Sequence, residues 1–203
     1  MFFKNFLAKY PEFKARDLIF TGASYGGHWA PYFAYGLDKL GDENIRITGL
    51  VLASSYLQGA KLYESYPRFS VDSKQYTQIT DDILKTSQKL TDLCSQLISV
   101  KDNPMYASYL IDVCDKAQAT TYSANPNFNY YFMPNDEQDN FHFVDFVSYP
   151  EVQNYLGVKK TEFLACNTTF TEFFRPGDLF EDSSPMVAHF LDKNVKVLMF
   201  SGD

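Results

Sequence analysis

The stretch Asp17–Pro31, DLIFTGASYGGHWAP, constrains this chain more than any other. Leu18, Ile19 and Phe20 are strand formers and Gly22 follows at once, so the run reads as a buried strand that stops abruptly. From Tyr25 the apolar spacing turns helical and continues to about Leu40, where Gly41 closes it. Between them Gly22-Ala23-Ser24-Tyr25-Gly26 is a G-x-S-x-G match in strand–turn–helix context, the setting of a nucleophile elbow. Small residues permit the sharp turn, Ser24 projects from the end of a sheet, and a helix N-terminus lies behind it. The Tyr25 N–H and the partial positive charge of that terminus suit an oxyanion.

Ile45–Ala53 reads as a second core strand. A strand, a helix and a strand in this order predict a right-handed β-α-β unit and a parallel sheet, hence an α/β fold. Ser54–Asp72 is polar and aromatic, contains Gly59 and Pro67, and shows no clean period. Two helical stretches follow, about Ile79–Val100 and Met105–Ser123, and so short a break predicts an antiparallel hairpin. Folding back at Asp102–Asn103 brings Cys94 near Cys114, either as a disulfide or as two buried thiols. Residues 124–140 are a loop by composition. The chain therefore divides into a core (1–53), an insertion forming a cap over the end of the sheet (54–140) and a return to the core (141–203).

In the last section Ser148-Tyr149-Pro150-Glu151 reads as a capping box, with Gly157 closing that helix. Ser184 and Pro185 open another helix, and Val195–Phe200 reads as a buried strand. At the other end, Phe2, Phe3, Phe6, Leu7 and Tyr10 mark one face of an amphipathic helix that Pro11 ends. Lys4, Asn5 and Lys9 interrupt it, so it is not a secretory leader.

A hydrophobic content of 45% with 19 Phe and 15 Tyr implies a globular chain with an aromatic core. The net charge of −7 argues against a nucleic-acid partner, which needs a basic face. No apolar run approaches a membrane span. The 3 cysteines form no C-x-x-C pair, so no structural zinc is expected, and Cys166 is left over. Asp136, Glu137 and Asp139 lack calcium-loop spacing and read as a solvated loop. No G-x-G-x-x-G or P-loop lysine is present, so no cofactor and no metal are implied. Asn167-Thr168-Thr169 is a glycosylation sequon, meaningful only on the secretory route and otherwise a chance match.

A serine nucleophile needs a base and an orienting acid, which on this scaffold follow it in the order acid, then histidine. The histidines are His28, His142 and His189, and none stands in that order. His28 lies on the helix of Ser24, His142 in an alternating aromatic stretch, and His189 on a helix packed on the sheet. Each reads as structural.

The elbow resembles that of the serine carboxypeptidase family, G-E-S-Y-A-G with a proline shortly after. Ile47–Ala53, the two cysteine-bearing helices, Tyr149–Val158, Cys166-Asn167 and Asp192–Asp203 are similar to the family's later segments in order. The resemblance implies a partial α/β-hydrolase fold, a mostly parallel sheet with a helical cap insertion. It implies Ser24 as nucleophile, the Tyr25 N–H as oxyanion donor, and a peptide substrate cleaved at its C-terminal bond through an acyl-enzyme. Asp203 matches the first, non-triad aspartate of the family's G-D-x-D turn. The triad acid and histidine would lie further on, and the second oxyanion donor and the partner of Cys166 upstream of Met1. The chain thus reads as a central piece whose N- and C-terminal segments are missing, with apolar strand edges left exposed. The family's setting is lysosomal, vacuolar or secreted.

Two departures bear on function. Ala23 replaces the glutamate that helps bind the substrate's carboxylate, and Ala53, Ser54 and Ser55 replace G-N-G. They open two alternatives: an inactive relative kept as a binding or structural component, and an esterase or acyltransferase of the same fold.

Overall fold

A computed structural model describes residues 2–14, 16–72, 79–124, 142–159, 162–167, 169 and 178–202. Residues 125–140, expected from composition to be a loop, with their acidic residues, as well as Phe141, Thr168 of the sequon and Asp203, lie outside the described residues. Contacts divide the chain into one unit of Met1–Leu62 with Phe180–Asp203 and a second of Tyr63–Leu179.

In the first unit, β1 (Asp17–Ala23), β2 (Arg46–Ala53) and β3 (Lys196–Phe200) form a parallel sheet in the order β1-β2-β3. Helix α2 (Tyr25–Asp38) joins β1 to β2, as a parallel connection requires. The register slips between Leu18 and Ile19, so Thr48 is an extra residue in β2. Helix α8 (Ser184–Asp192) precedes β3. Ala30 and Ala34 of α2, Leu50 and Leu52 of β2, and Val187 and Phe190 of α8 form the core. Two small residues on α2 face two leucines on the sheet, which lets the helix approach closely.

β1 and β3 are not the buried strands expected from their apolar runs. Each is an edge of the sheet as described, and Ile19, Leu198 and Phe200 are each 55% exposed. A parallel strand is buried on both faces only when helices cover both. Here α2 and α8 pack on one face, while Ile19, Val51 and Leu198 lie on the other. The N-terminal helix α1 (Phe2–Lys9) leads into a 3₁₀ turn at Pro11–Phe13, and Leu7 is buried.

In the second unit, α4 (Asp81–Ile98) and α5 (Pro104–Tyr122) pack as a hairpin. Thr80 caps α4 by accepting from the Ile83 N–H, and Asn103 caps α5 by accepting from Met105. Cys94 and Cys114 form a disulfide with Cα atoms 5.0 Å apart, so of the two readings the clamp is correct. Both cysteines are fully buried, alongside Leu97, Leu110 and Val113. The buried hydroxyls of Ser87 and Thr121 satisfy each other at 2.7 Å.

Three local expectations are corrected. Helix α3 (Gly59–Asp72) occupies a stretch that showed no period, with Pro67 inside it. Its Tyr63 hydroxyl donates to Asp115 and its Tyr66 hydroxyl accepts from Gln118, so spacing on α5 orders it. His142 opens helix α6 (His142–Ser148) instead of an alternating segment. The capping box before α7 (Pro150–Leu156) does not form. Ser148 ends α6 and donates to the Val144 carbonyl at 2.7 Å, leaving Tyr149 as the cap residue. Gly157, at φ 69°, closes α7 as expected.

Candidate active site

Ser24 sits between the last residue of β1 and the first of α2, with φ 53° and ψ −124°. L-residues rarely adopt this conformation, and the neighbouring strands hold it there. The Ser24 N–H donates to the Ala53 carbonyl at 3.1 Å. The Ser24 carbonyl accepts from Gly27 and from Tyr56, at 3.1 and 3.0 Å. The backbone is thus tied to both the end of β2 and the start of α2, and the side chain is exposed. Among the described residues nothing hydrogen-bonds the hydroxyl.

Two glycines make the corner sterically possible. A Cβ on Gly22 would lie 2.3 Å from the Gly26 carbonyl oxygen, and one on Gly27 would lie 2.0 Å from the Ser55 hydroxyl. Gly26 has nothing within 4 Å of its Cβ position. Close approach of α2 to β1 and to the Ser54–Ser55 turn therefore requires Gly22 and Gly27, while the final glycine of G-x-S-x-G fills no such need.

The three strands end together. Ala23 pairs with Ala53, and Ala53 with Phe200. Ser54, itself at φ 41°, donates its N–H to the Phe200 carbonyl at 2.8 Å, and its hydroxyl lies 3.4 Å from that of Ser201. A cavity of about 620 Å³ opens here, lined by Ser24, Leu52, Ser54, Ser55, Tyr56, Leu62, Met199, Phe200 and Ser201. No carboxylate, amine, guanidinium or imidazole is among these residues. Ser54, Ser55 and Ser201 were legible as strand-end positions, because ligands on parallel sheets gather at the carboxyl ends of strands. Leu62 and Met199 carried no such signal.

Tyr25 begins α2, so its backbone N–H lies at the positive end of the helix, next to Ser24. Its ring meets Trp29 edge-on at 5.2 Å and Tyr56 at 5.6 Å. Ala23 is exposed, beside Ser24 on β1.

The histidines take structural positions. His28 is fully buried and its Nδ1 donates to the Tyr56 carbonyl at 3.1 Å. His189 lies 2.8 Å from the Asp38 carboxylate at the far end of α2, with Lys193 on the same carboxylate at 2.6 Å. The length of α2, about 20 Å at 1.5 Å per residue, separates that cluster from Ser24. His142 is exposed in the second unit. Asn167 and Cys166 are exposed, and Cys166 carries a free thiol. Among the described residues no group of three metal-binding side chains gathers, and no helix is long and apolar enough to cross a membrane.

Comparison with known proteins places the whole chain in one family. The model of the serine carboxypeptidase family aligns with residues 1–203. The chain belongs to the serine carboxypeptidase family. It is 24% identical over 212 residues to serine carboxypeptidase-like 49 of Arabidopsis thaliana, covering 100% of this chain and 40% of that protein. Against a vacuolar serine-type carboxypeptidase of Saccharomyces cerevisiae it is 24% identical over 223 residues, covering 100% of this chain and 43% of the other. The crystal structure of a prohormone-processing carboxypeptidase from Saccharomyces cerevisiae superposes with a TM-score of 0.77 at 18% identity. That likeness covers 100% of this chain and 47% of the yeast one, and assigns the sheet and its helices to the α/β-hydrolase fold. The chain spans about two fifths of the length of the curated relatives it matches.

Proposed function

We propose that Ser24 is the nucleophile of a serine-type carboxypeptidase and that Gly22–Gly26 is its nucleophile elbow. The observation that carries this is the Ser24 backbone at φ 53° and ψ −124°, where β1 meets α2, in a chain of this family. Strain of this kind at a corner whose hydroxyl is exposed fits a functional residue better than a packing one. Ser24 Oγ attacks the carbonyl carbon of the last peptide bond. The C–N bond breaks, the C-terminal residue leaves as a protonated amine, and water then hydrolyses the acyl-enzyme. The Tyr25 N–H is one donor to the oxyanion. The general base and its acid are not among the residues lining the cavity, so the activation of Ser24 depends on groups elsewhere in the protein. Residues 54–140 serve as a cap, and peptide is the substrate.

The buried disulfide fits an oxidising compartment, and a vacuolar, lysosomal or secreted setting agrees with it. In that setting Asn167, exposed and in a sequon, is a glycosylation site.

A second reading rests on Ala23. Alanine has no polar group for a peptide's C-terminal carboxylate, which favours either an esterase or acyltransferase or a non-catalytic binding component. A fluorophosphonate probe applied to the protein at its natural length separates these. Label on Ser24, lost in Ser24→Ala, is expected, and its absence supports the non-catalytic component. Release of free C-terminal residues, as opposed to cleavage of simple esters only, then identifies the peptidase.

A further inference from the structure

A second cavity, of about 290 Å³, lies in the first unit where the sheet begins. It shares no lining residue with the Ser24 cavity. Arg16 precedes β1 and Ser24 follows it, so the seven-residue strand separates the two by about 26 Å at 3.3 Å per residue. Its walls are the rings of Phe3, Phe6 and Phe13 with Leu18 and Ile45. Phe6 holds the rings together, 5.9 Å from Phe3 and 5.4 Å from Phe13 between centroids. Such walls favour an apolar body, and the volume is at the lower edge for small-molecule pockets, about 300 Å³.

The polar groups at this cavity are unequal. Arg46 is committed to Asp17. Arg16 is held in place by groups that leave its terminal nitrogens available. Its Nε donates to the Glu12 carbonyl at 2.9 Å, and its guanidinium lies 5.5 Å from the centre of the Phe13 ring. Among the described residues no carboxylate pairs with it. A guanidinium fixed at its base and open at its fork, beside aromatic walls, matches a carboxylate that carries an apolar group.

We propose that this cavity is a second ligand site, for a small monocarboxylate with an aromatic or branched aliphatic body, whose carboxylate Arg16 receives. The site does not depend on Ser24 or on the activity proposed for it.

The test is titration of the chain with 3-phenylpropionate and, separately, with its neutral amide 3-phenylpropionamide, by calorimetry and ligand-observed NMR. The acid is expected to bind at least about tenfold more tightly than the amide, since only the acid forms the charge-assisted pair. Arg16→Gln is expected to remove that preference without moving the thermal midpoint, because Arg16 is exposed. Ser24→Ala is expected to leave binding unchanged. Equal affinity for acid and amide, no binding of the acid, or full binding by Arg16→Gln overturns the proposal. So does loss of binding in Ser24→Ala, which would put the ligand in the other cavity. The acid–amide comparison needs no variant, so it stands even where a substitution alters folding.

Discussion

Ser24 adopts a backbone conformation that in general costs about 1–3 kcal/mol for a residue with a Cβ. Glycine there is free of that cost, alanine is not. Ser24→Gly is therefore expected to be more stable than Ser24→Ala by about 1 kcal/mol, measured by urea unfolding, although both remove the hydroxyl. Equal stability of the two would mean that the corner stores no strain. The neighbouring glycines give an opposed pair. Gly22→Ala sets a methyl against backbone atoms of Gly26 and Gly27, which cannot rotate away, so a loss of about 2–3 kcal/mol is expected. Gly26→Ala meets open space in a helix and is expected to be neutral or stabilising by about 0.5–1 kcal/mol. A G-x-S-x-G pattern thus marks the corner correctly, while the steric need falls on Gly22 and on Gly27, one residue beyond the pattern.

At the scale of elements, what was legible followed from local rules and what was not depended on distant partners. The boundaries of α2, α4 and α5 were close to those expected because apolar spacing and breakers lie in the sequence itself. The capping of α4 by Thr80 is equally local. Helix α3 was hidden because Tyr63 and Tyr66 are satisfied by Asp115 and Gln118, about fifty positions away. Ser148 misled because a serine can cap the next helix or bond back to its own, and here α6 ends on it. The Ser24 corner was legible, but the serines that share its cavity come from two other strand ends. In the α4–α5 hairpin the disulfide closes a separation of 20 residues, which corresponds to about 3 kcal/mol in the loop-entropy account. Cys94→Ala with Cys114→Ala is expected to lower the stability of the helical unit by about that amount, read from chemical denaturation followed by circular dichroism. An unchanged unfolding midpoint would show that packing alone holds the hairpin.

The α2–α8 contact adds a dependence on pH. Burial opposes ionisation of Asp38, but hydrogen bonds from Lys193 and His189 outweigh it and hold its carboxyl below the usual 3.8. For Asp182, burial is again opposed, here by hydrogen bonds from Ser184 and Gln58, and the direction is the same. The folded state then binds fewer protons than the unfolded state between the two values. Both groups contribute stability above the unfolded carboxyl range, and that contribution is lost as pH falls through the lowered folded values. The thermal midpoint is expected to fall below about pH 4. Asp38→Asn is expected to flatten part of that fall and to cost about 0.5–1 kcal/mol at pH 7, as for a partly exposed ion pair.

At the scale of the whole molecule, the sheet decides how the chain behaves in solution. Ile19 and Leu198 are each more than half exposed on the face that α2 and α8 leave uncovered, and among the described residues β1 and β3 each pair with another strand on one side only. Open edges beside an apolar face are a template for pairing with another chain. The net charge of −7 opposes association at long range, but salt screens it beyond about 10 Å and it does not protect a strand edge. The 203-residue chain is therefore expected to self-associate as concentration rises, more so in high salt, and sedimentation velocity reads this directly. Ile19→Lys with Leu198→Lys places charges on that face without touching the residues that line the Ser24 cavity, and is expected to raise the monomer fraction. A wild-type chain that stays monomeric at all concentrations and melts in one cooperative transition would show that this face is stable in water as it stands.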